Sequence, residues 1–318
     1  MALVGREMFK AAVIGIGRVG YGFEKDPLRE KPCSHVGAYR ANPEVQLVAV
    51  ADRDEGRLSE FRAEFPDDLG VAAYTDYEVM LNEAKPEVVS VATPTVTHCQ
   101  IVRNVCRFAS VRLIFCEKPI AGKVEDAFEM VETCRQFGVK LAVNHVRRWC
   151  EAYRGVRYQL EQPSPIGDLM AFRGVFSGED ALNLGIHMAD LALWYNAAQI
   201  VLTHVNVPYI LFELDLIGSK GRVEVRRNGE DISLYIADPR AVRYQLEPYG
   251  VELALAERLG LKYSFSKAMV NAVADLVECL KTDKQPECTG EDGLNALRYC
   301  LETATERFWL KPKTLELK

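Results

Sequence analysis

The stretch Lys10–Gly20, KAAVIGIGRVG, decides how the first half of the chain folds. Ala11–Ile14 are small and apolar, which suits a strand buried on both faces. Gly15, Gly17 and Gly20 follow in a G-x-G-x-x-G spacing, with Arg18 and Val19 inside the turn. Glycines at these positions permit a tight turn and let the backbone approach a pyrophosphate, which would sit on the N–H groups of the following helix. Alone the motif is weak, because a purely structural glycine turn has the same spacing.

Working outward, the apolar run recurs four times, as VQLVAVAD (45–52), EVVSVATPT (87–95), RLIFCEKP (112–119) and VKLAVNH (139–145). Helix-like stretches lie between them, at Glu55–Phe65, Thr95–Phe108 and Val124–Phe137. Alternation of continuously apolar strands with helices predicts a doubly wound parallel sheet covered on both faces. Ligands bind such sheets beyond the carboxyl ends of the strands. Asp52 is expected at one such end, where its carboxylate could bond a ribose diol and repel a 2′-phosphate. Arg53, next door, pulls the other way because it could swing to a phosphate. The interval from Gly20 to Asp52 is longer than a plain βαβ unit needs. The excess is Tyr21–His35, YGFEKDPLREKPCSH, whose Gly22, Pro27 and Pro32 oppose a continuous helix. A short helical turn, an inserted loop and a helix resuming around Val36–Ala41 are expected. The loop is either a surface excursion or a cover over a ligand.

In CEKPIAG, Lys118 falls where a buried strand ends. Such a lysine points to the ligand crevice, where its ammonium could bond a substrate hydroxyl and stabilise an alkoxide. Taken singly, a strand-end lysine is more often a solvated loop residue. Beyond residue 147 the pattern changes. Asp168–Phe176, Leu211–Val225 and Ile232–Ile236 read as strands, and Asp180–Asn196 and Lys267–Lys281 as helices. The boundaries are therefore 1–146 for a dinucleotide-binding domain and 147–318 for an α+β domain with a mostly antiparallel sheet. Within ALNLGIHMADLALWY, Asn183, His187 and Asp190 fall at i, i+4 and i+7, on one face of the expected helix. A core histidine partnered by Asp190 has the same pattern. No other His or Cys shares a ligand spacing, so no metal is expected.

The formal net charge of −6, without a basic run, speaks against nucleic acid, and no apolar run reaches the ~18 residues of a membrane span. Arg6, Glu7 and Lys10 at the start do not read as a signal peptide. Nine cysteines without a C-x-x-C pair suggest reduced thiols and a cytoplasmic setting. Arg147, Arg148, Arg154 and Arg157 hint at an anionic ligand, although their helical spacing equally describes a solvated basic face.

GIGRVG, Asp52, VVSVATPTVTHCQIV, CEKPIAG, VNHVRRW, LNLGIHMADL and ELDLIGSKGRVEV occur in this order and span nearly the whole chain. Together they resemble the Gfo/Idh/MocA family of NAD(P)-dependent oxidoreductases. The resemblance implies an N-terminal Rossmann domain and a C-terminal domain with an open, mostly antiparallel sheet. It implies hydride transfer between a nicotinamide cofactor, NAD with NADP possible, and a CH–OH carbon of a sugar, polyol, nucleotide sugar or related small molecule. It also implies a homodimer or homotetramer. Carried over residue by residue, Gly15, Gly17, Arg18, Val19 and Gly20 form the phosphate turn, and Asp52 with Arg53 the ribose end. Thr93, Pro94 and His98 flank the nicotinamide ribose, beside Glu117, Lys118 and Pro119. Lys118 and His187 become the catalytic pair, and Asn144, Arg147, Asn183 and Asp190 line the substrate. Two departures stand out. Asn183 replaces an aspartate the family often has, and an amide cannot take a proton. The interval from Trp194 to Glu213 is short for the family, which predicts a reduced sheet. Asn183 also keeps open an NAD(H)-binding sensor of the same fold without turnover.

Overall fold

The computed structural model describes residues 8–64, 70–161, 163–178, 182–238 and 252–303. Six strands form the first sheet: β1 (Phe9–Ile14), β2 (Val45–Ala51), β3 (Ala72–Tyr74), β4 (Val88–Val91), β5 (Leu113–Cys116) and β6 (Lys140–Val143). All their pairings are parallel, and the spatial order is β3-β2-β1-β4-β5-β6. That is the Rossmann order, in which the sheet reverses direction of growth between β1 and β4 and leaves a crevice outside their carboxyl ends. Every residue of β4 and β5 is buried, which explains their unbroken apolar run. The helices between strands are α1 (His35–Ala41), α2 (Glu55–Glu64), α3 (Tyr77–Ala84), α4 (His98–Val105) and α5 (Val124–Phe137). The expected strands and helices of this half are present. The short β3 and α3 carried too few periodic residues to be read beforehand.

The chain divides into two compact units, Met1–Trp149 with Phe265–Leu297, and Cys150–Ser264 with the chain from Arg298. The sequence boundary near 146 assigned everything after it to the second domain. In the structure α8 (Phe265–Lys281) and much of α9 (Gly290–Thr303) pack with the first sheet instead. The reason is visible in the side chains. The Trp149 indole donates to Asp275 Oδ2 at 3.0 Å, and Asn271 Nδ2 donates to the Trp149 carbonyl at 3.0 Å. Ala268, Met269, Ala272, Val273 and Leu276 make an almost fully buried stripe on α8. Gly290 and Gly293 sit against Leu141 and Val143 of β6, where a methyl group would collide. Periodicity marked α8 as a helix but carried no sign of its partner.

Among its described residues the second unit holds α6 (Glu151–Leu160), α7 (Gly185–Trp194) and six strands: β7 (Leu169–Ser177), β8 (Gln199–Val205), β9 (Phe212–Gly218), β10 (Gly221–Arg226), β11 (Asp231–Ala237) and β12 (Leu253–Leu259). Their order is β12-β11-β10-β9-β7-β8, antiparallel throughout except for the parallel pair β7–β8. Alternating burial along β9 and β10 gives the sheet one covered face, onto which Tyr153 of α6 packs edge-on against Phe212. The interval from Trp194 to Glu213 carries one full strand, β8. Helix α7 begins at Gly185, five residues later than the expected Asp180.

Leu276 is 1% exposed, so Leu276→Ala is expected to destabilise the protein by about 2–5 kcal/mol. Because α8 belongs to the first unit, the loss should speed amide exchange in β5 and β6 under native conditions while that of β9 and β10 stays slow. Equal acceleration of both sheets would contradict this assignment.

Candidate functional site

Immediately after β1, Gly15 has φ +89°, a left-handed conformation that favours glycine. A methyl on Gly20 would strike the Gly15 carbonyl, so Gly20 is a packing requirement of the turn. Gly17 differs: among the described residues a Cβ there would meet only Arg57 Nη1, at 3.9 Å. That open side is what a dinucleotide pyrophosphate needs for close approach to the backbone. The residues present therefore fit the coenzyme that the motif implies.

The excess sequence is spliced into a helix. Gly22 N–H donates to Gly17 O and Phe23 N–H to Arg18 O, each at 2.7 Å, which starts the first turn. The chain then leaves at residues 22–25 in a 3₁₀ turn and returns at α1. There His35 N–H donates to Val19 O and Val36 N–H to Gly20 O, each at 3.1 Å. His35 thus stands where residue 23 of an uninterrupted helix would stand. The excursion is fastened by Glu24, whose Oε1 accepts from Cys33 N–H at 2.6 Å and Ser34 Oγ at 2.8 Å. The Arg29 guanidinium lies 3.8 Å from the centre of the Phe23 ring. The expected short turn, inserted loop and resumed helix are all present, and the loop is anchored at both ends.

Asp52 lies at the end of β2 as expected. Its Oδ2 accepts from Ile16 N–H at 2.9 Å and its Oδ1 from Asp54 N–H at 3.0 Å. Arg57 Nη1 is 3.4 Å from Oδ2, an ion pair the sequence reading missed. Arg53 is exposed. Beyond β4, the Thr97 hydroxyl lies 2.8 Å from Thr93 Oγ1 and 2.7 Å from Pro94 O. His98 is 1% exposed, with Nε2 2.9 Å from Thr93 O and Nδ1 3.1 Å from Pro119 O. Its ring therefore ties the loop after β4 to the turn after β5.

That turn carries Glu117, Lys118 and Pro119, with a cis Lys118–Pro119 peptide. Glu117 Oε1 accepts from Asn144 Nδ2 at 2.6 Å and from His35 Nε2 at 2.9 Å. A carboxylate only accepts, so Nε2 carries the proton. The other ring nitrogen lies 2.8 Å from Ser90 Oγ, and Ser90 Oγ lies 2.8 Å from the Tyr39 hydroxyl. Burial pushes the Tyr39 phenol pKa up and keeps it a donor. Burial alone would raise Glu117 as well, but His35, Asn144 and Lys118 hold its carboxyl below the ordinary value of 4.5. Asn144 Oδ1 is buried with no hydrogen-bond partner among the described residues.

Other sequence candidates separate. Arg147 is buried in the turn after β6. Arg148, in the same turn, pairs with Asp292 Oδ1 at 3.2 Å and donates to Glu287 O at 3.0 Å. Arg157 donates to the Trp194 carbonyl and lies 4.7 Å over its ring. The anionic-ligand reading of the arginine series is thus corrected for Arg148 and Arg157, whose charges serve packing. In the second unit His187 and Asp190 are buried one turn apart on α7, 5% and 1% exposed. Asn183 lies exposed in the turn before α7, so the shared helix face does not extend to it. Among the described residues, no cluster of three His, Cys, Asp or Glu side chains is arranged to hold a metal. Ser90, also missed, gave a faint signal as the single polar residue of the apolar run VVSVA, whereas His35, beside Ser34 at the end of a polar stretch, gave none.

Residues 9–145 match the oxidoreductase family with an NAD-binding Rossmann fold, GFO_IDH_MocA. The match lies within the first unit, and over that segment the chain is similar to the Gfo/Idh/MocA oxidoreductases. It is 27% identical to a D-apiose dehydrogenase of Paraburkholderia graminis over 363 aligned positions, spanning 98% of this chain and 90% of that protein. It is 27% identical to the NAD(+) scyllo-inositol 2-dehydrogenase of Bacillus subtilis over 206 positions, 60% of this chain and 55% of that one. In fold it resembles the UDP-N-acetylglucosamine 3-dehydrogenase of Acidithiobacillus ferrooxidans, with TM-score 0.73 at 19% identity, covering 95% and 99% of the two chains.

Two substitutions separate packing from binding in the glycine turn. Gly20→Ala is expected to cost about 1–3 kcal/mol in urea unfolding, through overpacking. Gly17→Ala should stay within about 0.5 kcal/mol of the parent, yet weaken dinucleotide binding measured by calorimetry. For Glu117 the pH sign is fixed by its lowered folded pKa. Its stabilisation is fully present above the unfolded value and is lost as pH falls through the folded one. The stability gap between the parent and Glu117→Gln should therefore be open at neutral pH and close on acidification below the ordinary 4.5. Denaturant titrations across that range check it.

Proposed function

We propose that this chain is an NAD-dependent dehydrogenase acting on the CH–OH carbon of a sugar, polyol, nucleotide sugar or related small molecule. The observation that carries the reading is Lys118 at the carboxyl end of β5. The chain on either side of it is fixed, by the Glu117 carboxylate bound to His35 and Asn144 and by the Pro119 carbonyl facing His98. A catalytic ammonium needs such a frame, because misplacement by ~1 Å costs large factors in rate. The relatives named for apiose and inositol dehydrogenation support the substrate class.

The backbone of Gly15–Gly20 would hold the pyrophosphate, and Thr93 and Pro94 would flank the nicotinamide ribose. When bound, the nicotinamide supplies the hydride acceptor. Lys118 donates a hydrogen bond to the reacting oxygen and stabilises the charge that grows on it as hydride leaves. His187 takes the hydroxyl proton, the role that the family resemblance gives it. Asn183 orients a neighbouring hydroxyl, and Asn144, Arg147 and Asp190 are the remaining substrate contacts. Seven of the nine cysteines are buried as thiols, which supports a reducing cytoplasmic setting. Association as a homodimer or homotetramer follows the family pattern.

The test is a panel of aldoses, cyclitols and nucleotide sugars with NAD+, read by nicotinamide absorbance, followed by Lys118→Met on the best substrate. Turnover should fall by about 10²–10⁴ while NADH affinity stays within about threefold. Unchanged turnover in Lys118→Met would remove the lysine from the chemistry and the reading with it.

A further inference from the structure

Asp52 is not an uncommitted reader of a ribose diol. Its carboxylate is already met by two backbone N–H groups, from Ile16 and Asp54, and is only 9% exposed. Arg57 adds a third partner. Its Nη1 is 3.5 Å from Asp52 Oδ1 and 3.4 Å from Oδ2, while its Nε is 3.6 Å from Asp54 Oδ2. Asp54 holds the arginine from below as well, since its Oδ1 accepts from Gly56 N–H at 2.9 Å and Arg57 N–H at 3.2 Å at the start of α2. Among the described residues, the same Nη1 is the one atom near the open side of Gly17. One guanidinium therefore spans the gap between the acid at the end of β2 and the glycine turn. Its side chain is 53% exposed and so accessible to a ligand from solvent.

The charge balance follows. An acidic residue at the end of β2 excludes a 2′-phosphate by repulsion. Here that repulsion is offset by a cation in contact with the same carboxylate. The pairs Arg57 makes are long and half-exposed, a class of ion pair that contributes little and is easily exchanged. Guanidinium binds phosphate through short charge-assisted bonds, often two at once, and so prefers it to these long contacts. Glu55, the next acid along, is already paired with Arg62. Arg53 is exposed beside Asp52 and makes no side-chain hydrogen bond or ion pair among the described residues, a second cation at the same rim.

We infer that Arg57 is the residue that sets coenzyme choice, masking Asp52 so that the site accepts a 2′-phosphorylated adenosine ribose as well as an unmodified one. The protein then uses both NADP(H) and NAD(H). The inference rests on the coenzyme reading given above and goes beyond the preference for NAD that Asp52 alone suggests.

The experiment is calorimetric titration of the full-length, nucleotide-stripped protein with NADPH and NADH separately, repeated on Arg57→Ala and Arg57→Lys. The parent should bind the two coenzymes with affinities within about tenfold of each other. Arg57→Ala should shift the NADPH-to-NADH affinity ratio at least tenfold towards NADH, because two carboxylates then face the 2′-phosphate without their shared cation. Arg57→Lys should recover part of the ratio, which a loss of folding would not. A parent that binds NADH but not NADPH overturns the inference, as does an unaltered ratio in Arg57→Ala. A parent that binds neither overturns the coenzyme site itself, and the inference with it.

Discussion

A carboxylate at the end of a buried strand must be paired, and the pairing of Glu117 organises the first unit. Its Oε1 takes one hydrogen bond from His35 and one from Asn144, residues that are far from it in sequence in opposite directions. Losing one partner of a buried charge costs roughly 3–5 kcal/mol, far more than a surface pair is worth. The constraint propagates. His35 must be delivered by α1, so α1 must continue the helix begun after the glycine turn despite the residues between them. Ser90 must sit in β4 to meet the other ring nitrogen, and Tyr39 must follow His35 by one helical turn to reach Ser90. Strand β4, the turn after β5 that carries Lys118, and α1, which continues the helix begun after the glycine turn, are thereby held in one polar chain.

The second tether works from the other side. His98 starts α4, faces the carbonyls of Thr93, Pro119 and Ile120, and so joins the ends of β4 and β5. By resemblance His98 is a cofactor contact. In the structure its ring is taken up by backbone, which makes it a residue that places others. The coenzyme end shows the opposite design. Arg57 lies at an accessible rim, where its contacts to Asp52 are long. A rigid chemical end and an accessible adenosine end thus share one sheet.

The fold was largely legible because its strands are buried on both faces and therefore read as unbroken apolar runs. KAAVIGIG and RLIFCEKP carry their own boundaries, in glycine and proline. The interrupted helix was legible too, since Gly22, Pro27 and Pro32 exclude a continuous one. Less of the site could be read. Hydrogen-bond partners such as His35 and Ser90 depend on which strands become neighbours, a property no local pattern contains. Arg57 is one arginine among many until β2 and the glycine turn are placed side by side. The return of α8 to the first unit has the same origin: an amphipathic stripe states that it will be covered, not by what. Asn183 illustrates the limit of periodicity. Its i, i+4 relation to His187 presumed a helix from Asp180, whereas α7 starts at Gly185.

The central claim is that the carboxyl ends of β1, β4 and β5 form a coenzyme site in which Lys118 meets the reacting end. A crystal structure of the full chain grown with NAD+ tests it most directly. The account predicts the pyrophosphate against the open side of Gly17 and the nicotinamide end beside Lys118 Nζ, within about 4 Å. A dinucleotide bound elsewhere, or one seated on the glycine turn with its nicotinamide turned away from Lys118, would contradict it.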